Sequence, residues 1–150
     1  RQGVRVKIMG ERTFFSPAVL EMIEQIESVT REGDRLTLVL AFNYSARREI
    51  LLATQHIAQR VAEGKIAVDE ITEQLMAEAL MTAGMPDPDM IIRTSGECRL
   101  SNFMLWQASY AEFYFPEVLW PDFNEEEFDK AIEVFAQRDR RYGLVTDEIK

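Results

Sequence analysis

Cysteine and histidine are almost missing from this 150-residue sequence, which holds only Cys98 and His56. A lone cysteine excludes an internal disulfide, and one residue of each type excludes a Cys/His zinc centre. No apolar run approaches the roughly 20 residues that span a bilayer, and the start shows neither a signal-peptide nor a transit-peptide pattern. The chain is therefore expected in the cytoplasm, at most peripheral to a membrane. Positive charge is also short: 17 Lys and Arg stand against 26 Asp and Glu, a net charge of -9, which argues against general nucleic-acid binding. Within that small basic set, 13 are Arg and 4 are Lys, from genome composition or from a need for planar guanidinium forks. What is present, 47% hydrophobic and 29% charged residues, suits one globular domain with a real core. There is no initiator Met, and Val4 to Met9 already reads as a strand, so the chain looks cut from something longer.

Val4 to Met9 alternates in the β sense and Gly10 ends it. Ser16 and Pro17 supply an N-cap and a proline at the first helical position, and Val19, Met22, Ile23, Ile26 and Val29 follow at helical spacing up to the turn at Gly33 and Asp34. Leu36 to Phe42 is apolar at nearly every position, which predicts a central parallel strand covered on both faces. A helix from Ala46 to Ala62 carries Ile50, Thr54, Ile57 and Val61 on one stripe, and a shorter one is predicted from Asp69 to Leu80. Gly84 to Pro88 breaks the pattern; a short buried strand, Met90 to Ile92, a helix from Ser101 to Gln107 and a strand over Ala111 to Phe115 follow. Phe14, Phe15, Phe113 and Phe115 read as core. Asn124 and Glu127 have capping-box spacing before a closing helix with Phe128, Ala131, Ile132 and Phe135. This alternation predicts an α/β fold, a mostly parallel sheet with helices on both faces.

In such sheets ligands bind beyond the carboxyl ends of the strands. One strand end stands out. From Arg93 to Asn102 the sequence gathers two arginines, three hydroxyls, a glycine and a predicted helix start, which is the donor set an anionic phosphate needs. The bland alternative is a loop whose arginines pair with nearby carboxylates and whose Ser101 merely caps a helix. A second cluster, Asn43 to Glu49, reads as turn and cap chemistry with exposed arginines. Glu112, beside Tyr110 and Phe113, is either solvated or placed for a hard cation such as Mg²⁺, with solvation favoured by the residues alone. Cys98 and His56 suggest no nucleophilic pair.

The run from Asp89 to Phe103, continuing through Trp106, Gln107, Tyr110 to Glu112 and Leu119 to Phe123, strongly resembles the C-terminal signature of the cis-prenyltransferases, whose typical bacterial member is undecaprenyl diphosphate synthase. Asn43 and Tyr44 with Arg47, Glu49 and Ile50, and the stretch from Arg138 to Gly143, are similar to the family as well, so the resemblance covers essentially the whole chain. It implies an undecaprenyl-diphosphate-synthase-like fold lacking the N-terminal strands, with residues 1–150 forming the C-terminal part of one domain. It also implies an enzyme that uses Mg²⁺ to condense isopentenyl diphosphate with an allylic diphosphate such as farnesyl diphosphate. The product is a cis-polyprenyl diphosphate, expected to be undecaprenyl diphosphate for the cell-wall lipid carrier and delivered to the membrane. By the same resemblance Arg93, Arg99, Leu100 and Ser101 bind the isopentenyl diphosphate, Glu112 is the metal carboxylate, Arg141 to Gly143 close the site, Asn43 and Tyr44 are mainly structural, and the protein is a homodimer.

Three departures qualify the resemblance. Ser45 and Ala46 stand where the family has Gly-Gly, so the backbone there must not depend on positive φ. Cys98 occupies a position that varies in the family. The Asp-Gly-Asn-Gly-Arg-Trp loop and the Phe-Ser-x-Glu-Asn-Trp segment are not among these 150 residues. The first holds the allylic diphosphate and the Mg²⁺-coordinating Asp, so the catalytic residues are expected upstream and this polypeptide alone is expected to be inactive. Two other readings stand beside this one: a non-catalytic partner subunit of the same fold, and a small phosphate-binding module complete in itself.

Overall fold

The structure, a computed structural model, describes residues 3–138. The chain separates into two compact units, Arg1–Met85 and Pro86–Lys150, divided inside the Gly84 to Pro88 breaker.

In the first unit, strand β1 (Val4–Met9) and strand β2 (Leu36–Ala41) pair in parallel, with Val4 opposite Leu36 and Met9 opposite Ala41. Helix α1 (Pro17–Val29) makes the crossover that parallel neighbours require. Ser16 begins it as predicted, its side chain accepting from the Val19 N–H at 3.4 Å. The two strands converge at their carboxyl ends. A Cβ on Gly10, where φ is +127°, would stand 1.8 Å from the Phe42 carbonyl oxygen, so only glycine allows this approach. Glu11 and Asn43 then clip the ends together: the Glu11 N–H donates to the Asn43 carbonyl at 3.3 Å, and Asn43 Nδ2 returns a bond to the Glu11 carbonyl at 2.9 Å. The second cluster has the turn role expected of it but not the capping one, since the Ser45 side chain makes no capping bond to α2. Arg48 holds the Glu11 carboxylate at 3.0 and 3.1 Å, and Asn43, not Ser45, takes the positive φ (50° against -149°).

Helix α2 (Ala46–Ala62) and helix α3 (Glu73–Ala79) pack together. The buried face of α2 is Ala46, Glu49, Ala53 and Ile57, which shares only Ile57 with the predicted stripe of Ile50, Thr54, Ile57 and Val61. Alanines allow close approach, and the buried carboxylate at Glu49 shifts the face away from the most apolar stripe. The predicted helix from Asp69 to Leu80 is split into a 3-10 turn (Val68–Glu70) and α3, because Thr72 accepts the Leu75 N–H at 3.1 Å and starts a new helix. The larger correction concerns β2. Its side chains were expected to be covered on both faces, yet Leu36, Leu38, Leu40 and Phe42 are 58%, 44%, 37% and 51% exposed. Apolar composition encodes a strand, but cover requires neighbours, and among the described residues only β1 pairs with β2.

In the second unit, strand β3 (Met90–Ile92) pairs in parallel with strand β4 (Glu112–Tyr114), Met90 opposite Glu112 and Ile92 opposite Tyr114. Both strands are half-buried, so the expected burial of β3 is met only in part, because a two-stranded sheet covers little. Helix α4 (Glu125–Ala136) packs on β4 and buries Ala131. Asn124 caps it as predicted, accepting from the Glu127 N–H at 3.2 Å. The predicted helix over Ser101 to Gln107 is replaced by turns and a 3-10 segment at Gln107–Tyr110. Among the phenylalanines read as core, Phe14 is 82% exposed, while Phe15, Phe113 and Phe115 are half-buried, the last two stacked at 5.8 Å. The fold is α/β with parallel strand pairs.

Candidate functional site

The chain leaves β3 into the arginine-rich loop. The Arg93 N–H donates to the Tyr114 carbonyl at 3.0 Å, extending the ladder by one step, and Ser95 and Gly96 then donate to the carbonyls of Val118 and Pro116 at 2.8 and 2.9 Å. These bonds fix one side of the loop against the segment after β4. The loop closes on itself through Arg93, whose Nη1 donates to the Arg99 carbonyl oxygen and, at 3.0 Å, to Ser101 Oγ. Arg93, Arg99 and Ser101 are thereby brought together with Leu100 between them. Leu100 accepts the Phe103 N–H at 3.1 Å.

This closure explains why the Ser101 helix does not form. Ser101 Oγ accepts a hydrogen bond from the Arg93 guanidinium instead of capping a helix, and Ser101, Asn102 and Met104 adopt positive φ of 48°, 64° and 48°. Left-handed conformations of non-glycine residues cost about 1 kcal/mol or more each and persist where surrounding contacts over-determine the backbone. A helix N-terminus therefore contributes nothing to this loop; its anion-binding capacity rests on the guanidinium groups and loop donors.

The two arginines differ electrostatically. Arg99 forms an ion pair with Glu97, and the pair is 61% and 39% exposed. Such surface pairs contribute roughly 0–1 kcal/mol and are readily exchanged for a stronger anion. Arg93 bonds only to neutral oxygens, and among the described residues it has no carboxylate partner, so its charge is left to act on a ligand. The bland reading thus holds for Arg99 and not for Arg93.

Glu112 begins β4 and lies outside this hydrogen-bonded cluster. It stands opposite Met90, three residues before Arg93, roughly 10 Å along the strand. Its Oε2 accepts from Arg138 Nη1 at 2.7 Å, with the side chains 25% and 40% exposed. No group of three His, Cys, Asp or Glu that could hold a metal occurs among the described residues. A single carboxylate nevertheless suits Mg²⁺, which keeps several waters and completes its shell with substrate phosphates. In this structure the charge of Glu112 is balanced by the Arg138 guanidinium. Cys98 is exposed, His56 is exposed on α2, and the Arg141 to Gly143 element lies outside the described residues.

Sequence reasoning missed two partnerships. Glu49 is 1% exposed, and its carboxylate accepts the Tyr44 hydroxyl at 2.6 Å and the Met81 N–H at 2.7 Å. The apolar run Ile50 to Leu52 after it was the only local signal. Arg138 joins Glu112 across 26 positions, beyond any local pattern.

Comparison with known proteins places these residues in context. The family described as undecaprenyl diphosphate synthase matches residues 1–143. An isoprenyl transferase of Agrobacterium fabrum is 50% identical over 149 residues, covering 99% of this chain and 60% of the relative. The ditrans,polycis-undecaprenyl-diphosphate synthase ((2E,6E)-farnesyl-diphosphate specific) of Pasteurella multocida is 49% identical over 143 residues, 95% of this chain and 60% of the relative. The crystal structure of lavandulyl diphosphate synthase from Lavandula x intermedia in complex with dimethylallyl diphosphate superposes with a TM-score of 0.92 at 33% identity, covering 96% of this chain and 62% of that one. The chain thus spans about 60% of the length of these relatives. Because the match runs through both units and through the Arg93 loop at half or nearly half identity, the chain belongs to the undecaprenyl diphosphate synthase family of prenyltransferases.

Proposed function

We propose that the protein acts in cis-prenyl chain elongation, condensing isopentenyl diphosphate with an allylic diphosphate such as farnesyl diphosphate, and that these 150 residues supply the isopentenyl diphosphate half of the site. The product by this reading is a cis-polyprenyl diphosphate, undecaprenyl diphosphate in the first instance, released to the membrane. The described helices include none long and apolar enough to cross one. The observation that carries the reading is the loop closed by Arg93: a guanidinium held by the Arg99 carbonyl and Ser101 Oγ, without a carboxylate partner among the described residues. A diphosphate presents oxygens that accept charge-assisted bonds from Arg93 and Arg99, with the Ser101 hydroxyl and the Leu100 backbone beside them.

Mg²⁺ belongs to this reading through Glu112 as one carboxylate of a shared coordination sphere. Glu112 would hold the metal, whose positive charge would offset negative charge on a diphosphate. The two compact units are parts of one domain by this reading, and the protein works as a homodimer.

Titration with inorganic pyrophosphate and isopentenyl diphosphate tests the half-site. Arg93→Gln is expected to weaken binding about 10- to 100-fold, the loss of one or two charge-assisted bonds. Arg99→Gln, which does not close the loop, is expected to weaken it about 10-fold without changing the melting temperature. Unchanged affinity in both variants overturns the assignment.

A further inference from the structure

Among the described residues of the second unit, the ion pairs are local except one. Arg99 pairs with Glu97, and Lys130 pairs with Glu126 and Glu127, all within four positions. Arg138 instead reaches Glu112 across 26 positions and joins the end of α4 to the first residue of β4. Arg138 follows Gln137, the C-cap of α4, and its own N–H donates to the Phe135 carbonyl at 3.1 Å, so its backbone continues the helix end while its side chain is fastened to the sheet.

We propose that Arg138 is a resident counter-cation that a divalent metal displaces from Glu112, so that metal arrival and release of the end of α4 are one exchange. The inference rests on the metal role proposed for Glu112. Its basis is the geometry at the carboxylate. Arg138 takes Oε2, one of the two hard oxygens that Glu112 offers a metal, at 2.7 Å. A guanidinium and a dication in contact with the same carboxylate repel each other, so one leaves as the other binds. The pair is open enough for water and metal to enter, and partly exposed ion pairs are weak enough to be exchanged. In the absence of metal, Arg138 also spares Glu112 an uncompensated charge at the sheet edge. Arg138 thus tunes metal affinity and carries the signal of occupancy into α4.

The test measures Mn²⁺ binding to the purified protein by the electron paramagnetic resonance signal of free Mn²⁺, with inorganic pyrophosphate present to complete the coordination sphere. Arg138→Gln is expected to tighten Mn²⁺ binding about two- to fivefold, the worth of an exposed competing pair. Arg138→Lys should stay near the wild type, and Glu112→Gln should weaken binding and abolish the effect of a second change at Arg138. In parallel, Mg²⁺ with pyrophosphate should move the Arg138 Nε–H resonance of the unaltered protein toward its position in Glu112→Gln. If Arg138→Gln leaves affinity unchanged while Glu112→Gln weakens it, the exchange is refuted and the metal role of Glu112 survives. If Glu112→Gln changes nothing, the metal role fails and the exchange fails with it; if no variant binds Mn²⁺, this chain holds no metal for Arg138 to exchange with and the proposal is overturned.

Discussion

Glu49 occupies an environment that normally excludes a carboxylate. It is almost wholly buried, and Tyr44 and Met81 donate to its two oxygens. Removing the carboxylate leaves a part-buried hydroxyl and a part-buried N–H without these acceptors, each a cost of up to about 1–3 kcal/mol. Glu49→Ala is expected to lower stability by about 2–3 kcal/mol in urea unfolding, and Glu49→Gln, which keeps a carbonyl acceptor, by less. Equal losses would show that packing and not hydrogen bonding sets the value of this residue. The contrast with Arg93 shows what a sequence reveals at this scale. Arg93 and Ser101 are eight positions apart and share one loop, so their chemistry could be read together. Glu49 depends on Met81, 32 positions away, and its own neighbourhood offers only a glutamate at the start of a helix.

At the scale of elements, α1 and β1 show how an edge strand is finished. The Val6 and Ile8 N–H groups point away from β2 and are taken by Thr30 Oγ1 at 3.0 Å and Glu27 Oε1 at 2.9 Å. Side chains at the end of α1 thus close an edge that would otherwise invite pairing. Burial works against the charged form of Glu27, but the Ile8 N–H and the Arg12 guanidinium, at 3.0 and 2.9 Å from its oxygens, outweigh it, with Lys7 adding positive charge; the carboxyl titrates below its ordinary range. A lowered folded-state value means that ionised Glu27 stabilises the fold fully above the ordinary carboxyl range, and the contribution is lost as pH falls through the lowered value. The stability difference between the unaltered protein and Glu27→Gln should therefore be largest near neutral pH and shrink on acidification, with protection of the Ile8 amide declining in parallel. A difference that is constant with pH would contradict this. The strands, α1 and α4 were legible because their signals are periodic and their caps local. The replaced helix at Ser101 was not, because seven residues with helical composition cannot register a guanidinium arriving from β3.

For the whole molecule, the net charge of -9 coexists with a local arginine loop, so the overall balance argues against a polyanion surface without excluding a small diphosphate. By the proposed reading, the described residues supply donors for one diphosphate and one carboxylate for a metal. These 150 residues contain no Asp-Gly-Asn-Gly-Arg-Trp loop. Ionising an allylic diphosphate requires donors and metal where negative charge develops on the leaving group. The 150-residue chain alone is therefore expected to bind pyrophosphate yet incorporate no radiolabelled isopentenyl diphosphate into polyprenyl product; incorporation would refute this. The sequence by itself determined the α/β alternation, the capped helices, the clustering of Arg93, Arg99 and Ser101 in one loop and the family, because each depends on residues near one another in the chain or on long identity. Only the tertiary structure decided that Glu49 is buried, that Ser101 turns instead of starting a helix, that β2 lies exposed and that Arg138 holds Glu112. Burial and most of these partnerships depend on which distant segments meet, and side chains 26 or 32 positions apart leave no periodic trace in the sequence.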